Sequence, residues 1–226
     1  LLLARNAPVV KSADRAAGAA FAAGLGSVIV MDDGLQNPSL AKDFTIAVID
    51  SETGIGNGLC IPAGPLRAPL VAQLRVTQAV LAMGDGGAVD MLAPAIAPRA
   101  LWHATLVPEE SAIAALRGRH VFAFAGIGRP DKFFAMLESE RIHVAARESF
   151  GDHEPYASAT LRRIAQSCAR EQLVPVTTEK DAARIGAAQL AACGLDTLVT
   201  VPVSLHSRDR DAMKAALAHA LTHRRI

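Results

Sequence analysis

Short apolar runs rich in β-branched residues alternate along this chain with longer Ala-rich stretches whose apolar residues recur at helical spacing. That alternation is the habit of βαβ units, in which each strand feeds a helix that packs back on a mainly parallel sheet. The runs predict strands over residues 28–31, 45–49, 80–83, 121–125, 143–146, 174–177 and 198–203. The helical pattern predicts helices over 14–23, 130–139, 156–171, 180–192 and 209–223, each apolar enough on one face to cover a sheet. Pro130 is a good helix start, because its missing N–H would have no partner at that position anyway. An α/β fold follows.

At 226 residues, half of them apolar, the chain can bury one large core or two modest ones. Between Gly84 and Pro108 the pattern loosens into Gly84-Asp85-Gly86-Gly87 and a segment carrying Pro94 and Pro98, where neither period persists. That places a domain boundary near residue 100, with lobes over 1–100 and 101–226. Lys and Arg number 23 against 22 Asp and Glu, so no global basic field points to nucleic acid, and no nucleic-acid partner is expected. Cys60, Cys168 and Cys193 form no C-x-x-C pair and are odd in number, which fits thiols in a reducing cytosol. No apolar run approaches the roughly 18 residues of a spanning helix, and residues 1–12 have no signal-peptide core. The chain opens on Leu1 and enters an apolar stretch at once, which reads as a start within a domain.

Several short segments carry chemistry-bearing residues. The apolar run 28–31 ends in Asp32 and Asp33, followed by Gly34-Leu35-Gln36-Asn37. Adjacent acids at the end of such a run fit either a turn or helix cap, or a Walker-B-like grip on Mg2+ near nucleotide phosphates. Gly54-Ile55-Gly56-Asn57-Gly58 follows another predicted strand and fits either a structural turn or a backbone cradle for an anion. No G-x-x-x-x-G-K-[ST] or G-x-G-x-x-G occurs in the sequence, Gly126-Ile127-Gly128-Arg129-Pro130 included. Asp152-His153 sets a carboxylate beside an imidazole after a predicted strand, open to acid-base work or to a cap beside a surface histidine. His219 and His223, four apart, lack a third ligand and read as a solvated face. Thr177-Thr178-Glu179-Lys180-Asp181 reads as a strand end passing into a capped helix.

Taken in order, these blocks resemble the tetraacyldisaccharide 4'-kinase family. The resemblance rests on Leu1-Leu2-Leu3-Ala4-Arg5, Asp14-Arg15, Asp32-Asp33-Gly34-Leu35-Gln36, residues 54–58, Pro62-Ala63-Gly64-Pro65-Leu66-Arg67, residues 122–130, Asp152-His153 and residues 177–181. It runs nearly end to end and implies a P-loop-kinase-like parallel sheet lobe with a smaller α/β lobe behind it. The implied activity is transfer of the γ-phosphate of ATP to the 4'-hydroxyl of an acylated glucosamine disaccharide 1-phosphate, giving lipid IVA. By resemblance, Asp32 and Asp33 belong to the Mg2+ and ATP centre, with Asp33 also catalytic. Arg15, Gln36, Asn37 and Arg67 belong where the lipid headgroup and phosphates meet, and Asp152 and His153 are catalytic. The resemblance also implies that the phosphate loop, an aspartate partner for His153 and an amphipathic helix lie in a segment before Leu1. It places the complete enzyme peripherally at the cytoplasmic face of the bacterial inner membrane.

Three positions depart from the family pattern: Asn37 where His is common, Ala68 where Glu is frequent, and Glu154 where a second His is usual. Asn37 keeps a hydrogen-bonding group but cannot titrate, and Ala68 offers neither charge nor donor. A reading of another class, a non-catalytic nucleotide or glycolipid binding module, fits the lack of a phosphate loop in this sequence. A dinucleotide-dependent reductase would need a glycine fingerprint that is not there.

Overall fold

A computed structural model describes residues 2–152 and 154–222. The chain forms two compact units, one from Val9–Leu106 with Leu205–Ile226, the other from Leu1–Pro8 with Val107–Ser204. In the first, Asp14 opens helix α1 (Arg15–Ala22) by accepting the N–H of Ala16 and Ala17 at 2.9 and 3.1 Å. There follow strand β1 (Ile46–Asp50), helix α2 (Leu70–Arg75), strand β2 (Ala79–Met83), helix α3 (Ala93–Ile96) and strand β3 (Ala100–Pro108). β2 pairs in parallel with β1 on one side and β3 on the other. Being central and parallel, it is covered on both faces. Val80 and Ala82 pack with Leu74, Val89 and Ile96, while Ala79 and Leu81 pack with Trp102 and Ala104.

The second unit contains helix α4 (Glu110–Leu116), strand β4 (His120–Ala125), helix α5 (Pro130–Ser139), strand β5 (His143–Ser149) and helix α6 (Ser158–Glu171). Strand β6 (Val174–Thr178), helices α7 (Glu179–Ile185) and α8 (Ala187–Ala192) and strand β7 (Val199–Val201) complete it. Its sheet runs β5-β4-β6-β7, parallel throughout. β4 shows the period-2 alternation directly: Val121, Ala123 and Ala125 enter one core with Phe133 and Phe134, and Phe122 and Phe124 enter the other with Leu161 and Ile164. Strand β8 (Val203–Ser207) then joins β3 to close the order β1-β2-β3-β8, and helix α9 (Arg210–Thr222) lays Met213 and Ala216 on the Trp102 face. No helix among the described residues is long and apolar enough to cross a membrane.

Four sequence expectations change. Residues 28–31 form no strand: the run pairs with nothing among the described residues, and Val30 is 90% exposed, because an apolar run makes a strand only where a ladder partner exists. The expected helix 180–192 divides at Gly186, which takes φ 80° between α7 and α8. The expected strand 198–203 divides at Pro202, which has no N–H for a ladder, and its two parts enter different sheets. β3 arises in the segment read as loose, where flanking Gly and Pro obscure Leu101-Trp102-His103-Ala104. The chain leaves the first unit at Leu106, and the end of β8 and α9 return to it.

Candidate functional site

In the first unit, β1 ends at Asp50, whose Oδ1 accepts the N–H of Glu52 and Thr53 at 3.0 and 3.2 Å and turns the chain at once. Gly54, Gly56 and Gly58 continue the turn at φ of 57°, 60° and 74°, a region that side chains disfavour. Asn57 then braces the loop, donating from Nδ2 to the Ala63 carbonyl at 2.8 Å and accepting from the Leu59 N–H at 3.1 Å. Gly64 makes room for that brace: a Cβ there would lie 2.1 Å from Asn57 Oδ1 and 2.4 Å from the Leu59 carbonyl oxygen. The glycine block and the Pro62–Arg67 block are thus one folded piece, closed by Leu66 N–H donating to Leu59 O at 3.1 Å.

That piece delivers Arg67, whose Nη1 donates to both oxygens of Asp33 at 2.9 and 2.8 Å. Asp32 and Asp33 occupy an exposed turn, with Asp33 in the left-handed region at φ 51°. Beside them, Gln36 Nε2 donates to Gln73 Oε1 at 2.9 Å, and Gln73 Nε2 donates to the Ala68 carbonyl at 2.6 Å. Asp32, Asp33, Gln36, Asp50, Arg67 and Gln73 all border one open groove of about 1170 Å3 with largely apolar walls. Gln73 was not singled out from sequence because α2 has only six residues, too few to show a helical period.

Two expected substrate residues lie apart from this groove. Asn37 Oδ1 accepts from the N–H and Oγ of Ser39 at 2.9 and 2.6 Å, a local turn, and Asn37 does not border the groove. Arg15 is exposed at the first position of α1 and does not border it either. Among the described residues no group of three or more His, Cys, Asp and Glu is arranged to hold a metal. The adjacent carboxylates of Asp32 and Asp33 are hard oxygen donors of the kind Mg2+ takes.

In the second unit, Asp152 is exposed beside Lys180, with Nζ 3.5 Å from Oδ1. His153 lies outside the described residues. Glu154, one of the three departures from the family pattern, accepts the Gly151 N–H at 2.8 Å. Residues 177–181 do more than cap a helix. Thr178 Oγ1 accepts the Asp181 N–H at 3.1 Å as expected of a cap, and Thr177 Oγ1 also donates to the Phe124 carbonyl at 2.7 Å across the sheet.

A family model for Tetraacyldisaccharide-1-P 4'-kinase matches residues 1–222. The chain belongs to that family. Curated relatives named tetraacyldisaccharide 4'-kinase include one from Methylobacterium nodulans (strain LMG 21967 / CNCM I-2342 / ORS 2060), 50% identical over 223 residues, which span 96% of this chain and 64% of the relative. Another, from Rhodopseudomonas palustris (strain HaA2), is 45% identical over 228 residues, which span 100% of this chain and 67% of the relative. The chain therefore spans about two thirds of the length of these kinases. Among solved structures, LpxK from Aquifex aeolicus, described as an apo form in complex with ATP, superposes with a TM-score of 0.57 at 20% identity, covering 84% of this chain and 56% of that one. The α/β class with parallel sheets, expected from sequence, is the fold shared with that kinase.

Proposed function

We propose that this chain forms the greater part of an enzyme that transfers the γ-phosphate of ATP to the 4'-hydroxyl of an acylated glucosamine disaccharide 1-phosphate. The observation that carries the reading is the Asp33–Arg67 pair on the groove, formed by two of the blocks on which the sequence resemblance rests. Bound ATP with Mg2+ supplies the phosphoryl group and offsets its charge. Asp32 and Asp33 hold the metal side of that complex. Arg67 and Gln36 meet phosphate and headgroup oxygens, Arg67 because a guanidinium matches phosphate geometry. Arg15, four positions before groove-lining Ala19 on α1, is assigned to the headgroup by the resemblance and not by the groove, while Asn37 shapes the turn that follows Gln36. Asp152 and His153 accept or orient the proton leaving the 4'-hydroxyl. The reaction takes place peripherally at the cytoplasmic face of the inner membrane, where acyl chains and ATP meet.

The sequence of this chain has no G-x-x-x-x-G-K-[ST], so another segment must cradle the β- and γ-phosphates. The test compares the 226-residue polypeptide with the same polypeptide joined to the part of the Methylobacterium nodulans relative that it does not span. Both are incubated with Mg-ATP and the disaccharide 1-phosphate. The joined chain is expected to form the 4'-phosphorylated product and the shorter one little or none. Equal transfer by both overturns the account of phosphate positioning. ATP binding without transfer by the joined chain identifies a binding module instead.

A further inference from the structure

We infer that Asp181 and Arg184 form a clamp that positions the turn between Gly151 and Glu154, the stretch of sequence that includes Asp152 and His153. The inference rests on the proposed catalytic role of that stretch. Asp181 is fully buried, and its carboxylate accepts three hydrogen bonds: Oδ2 from Gly126 N–H at 3.1 Å and Thr178 Oγ1 at 2.7 Å, and Oδ1 from Arg184 Nη1 at 3.1 Å. Three positions apart on α7, the two side chains share a helix face. Arg184 then spans two segments at once, donating from Nη1 to the Gly126 carbonyl at 2.7 Å and from Nη2 to the Glu154 carbonyl. Its guanidinium also lies 5.5 Å from the ring centre of Tyr156. Burial first, and then the Asp181 carboxylate, push the Tyr156 phenol far above its ordinary range, so the ring stays neutral beside this pair.

What the pair grips is specific. Gly126 follows the end of β4, where Phe150 N–H donates to the Ala125 carbonyl at 2.9 Å, and Gly151–Glu154 follow the end of β5. Glu154 closes its turn twice, from N–H to the Gly151 carbonyl at 3.0 Å and from its carboxylate to the Gly151 N–H at 2.8 Å. Gly126 has no space for a side chain, since a Cβ would lie 2.8 Å from Tyr156 Oη and 3.3 Å from Phe150 Cβ. A fully buried carboxylate is costly to desolvate even with a partly buried arginine beside it, so stability of the core alone is weak ground for this pair. The pair fixes two backbone segments beyond the carboxyl ends of adjacent parallel strands, where open α/β sheets place their ligands.

Only a planar guanidinium reaches both carbonyls, so Arg184→Lys keeps the charge and loses the span. In the full-length gene product, Arg184→Lys is expected to raise amide hydrogen exchange over residues 151–156 about tenfold or more while leaving α6 residues 160–168 unchanged. It is also expected to lower kcat at least about tenfold with KM for ATP within about threefold. Asp181→Asn combined with Arg184→Gln removes both charges together, leaves no uncompensated ion, and is expected to give the same local exchange pattern. Unchanged exchange over 151–156 in both variants overturns the clamp, and so does faster local exchange with wild-type kcat where His153→Ala does lower kcat. His153→Ala separates the two readings. If it keeps wild-type kcat, the catalytic reading fails, while the local exchange result still judges the clamp. If both hold, Arg184→Lys added to His153→Ala produces no further loss of kcat.

Discussion

A single guanidinium nitrogen of Arg67 donates to both carboxylate oxygens of Asp33, across 34 positions of sequence. Both side chains are more than half exposed, at 58% and 63%. Exposed pairs of this kind contribute roughly 0–1 kcal/mol, so the fold does not depend on it. Arg67→Ala in the full-length gene product is therefore expected to move the melting temperature by no more than a few degrees while lowering kcat/KM by at least about 100-fold. Loss of stability with intact turnover would mark the pair as a structural brace.

Asp33 sits at φ 51°, where Asn and Asp are tolerated and β-carbon residues without a short polar group are strained. Asp33→Asn is thus the cleaner probe of its charge. It is expected to retain the wild-type unfolding midpoint and lose turnover by orders of magnitude, whereas Asp33→Ala loses some stability as well. Turnover of Asp33→Asn within about threefold of wild type, under about 1 kcal/mol of barrier, rules out a role at the metal and nucleotide.

Gly64→Ala drives a methyl group into Asn57 Oδ1 and the Leu59 carbonyl. Relief requires breaking the brace between the glycine block and the Arg67 block, at a cost of about 1–3 kcal/mol. Gly87→Ala, with nothing within 4 Å, is the control and is expected to leave the urea midpoint nearly unchanged. Equal midpoints for the two variants would contradict the packing described at Gly64.

Cys168 is buried, and burial first, then the Glu171 carboxylate, push its thiol from 9.0 up to about 11. At pH 8 its thiolate population is therefore about 100-fold below that of an unperturbed thiol. Cys60, half-exposed, is expected to react with iodoacetamide first, followed by mass spectrometry of the peptides. For stability the sign runs against alkali. The raised folded pKa contributes fully below about pH 9 and is lost as pH rises from 9 through about 11, so the urea midpoint falls across that window. Alkylation of Cys168 as fast as Cys60 would refute its enclosure.

Sequence periodicity located β4, α5 and α6 well because each carries its own signal: buried alternation in β4, Pro130 opening α5, and a broad apolar stripe in α6. Residues 28–31 carry a comparable apolar signal and form no strand, because pairing depends on what lies alongside and not on the run itself. At the groove, Asp32, Asp33, Gln36 and Arg67 stood out by their blocks, but the contact between Asp33 and Arg67 depends on two braced turns that no spacing rule encodes. Asn37 stood beside them in sequence, yet its short side chain satisfies its own turn first. Asp181 looked like an ordinary first-turn acid on a helix, and its bond to Gly126 spans 55 positions. Long-range polar contacts leave little trace in local pattern.

The return of β8 and α9 to the first unit sets an order of events during synthesis. His103 N–H donates to Asp209 Oδ2 at 2.7 Å over 106 positions, and Met213 and Ala216 pack on the face that holds Trp102. At translation rates of about 5–20 residues per second, that face waits roughly 5–20 seconds for its helix after Trp102 has been made. Meanwhile β4 to β7 emerge as a contiguous stretch and form their sheet without waiting for later chain. Of the two sheets, the one translated earlier is closed later, and its waiting face is the apolar surface that a ribosome-associated chaperone would meet.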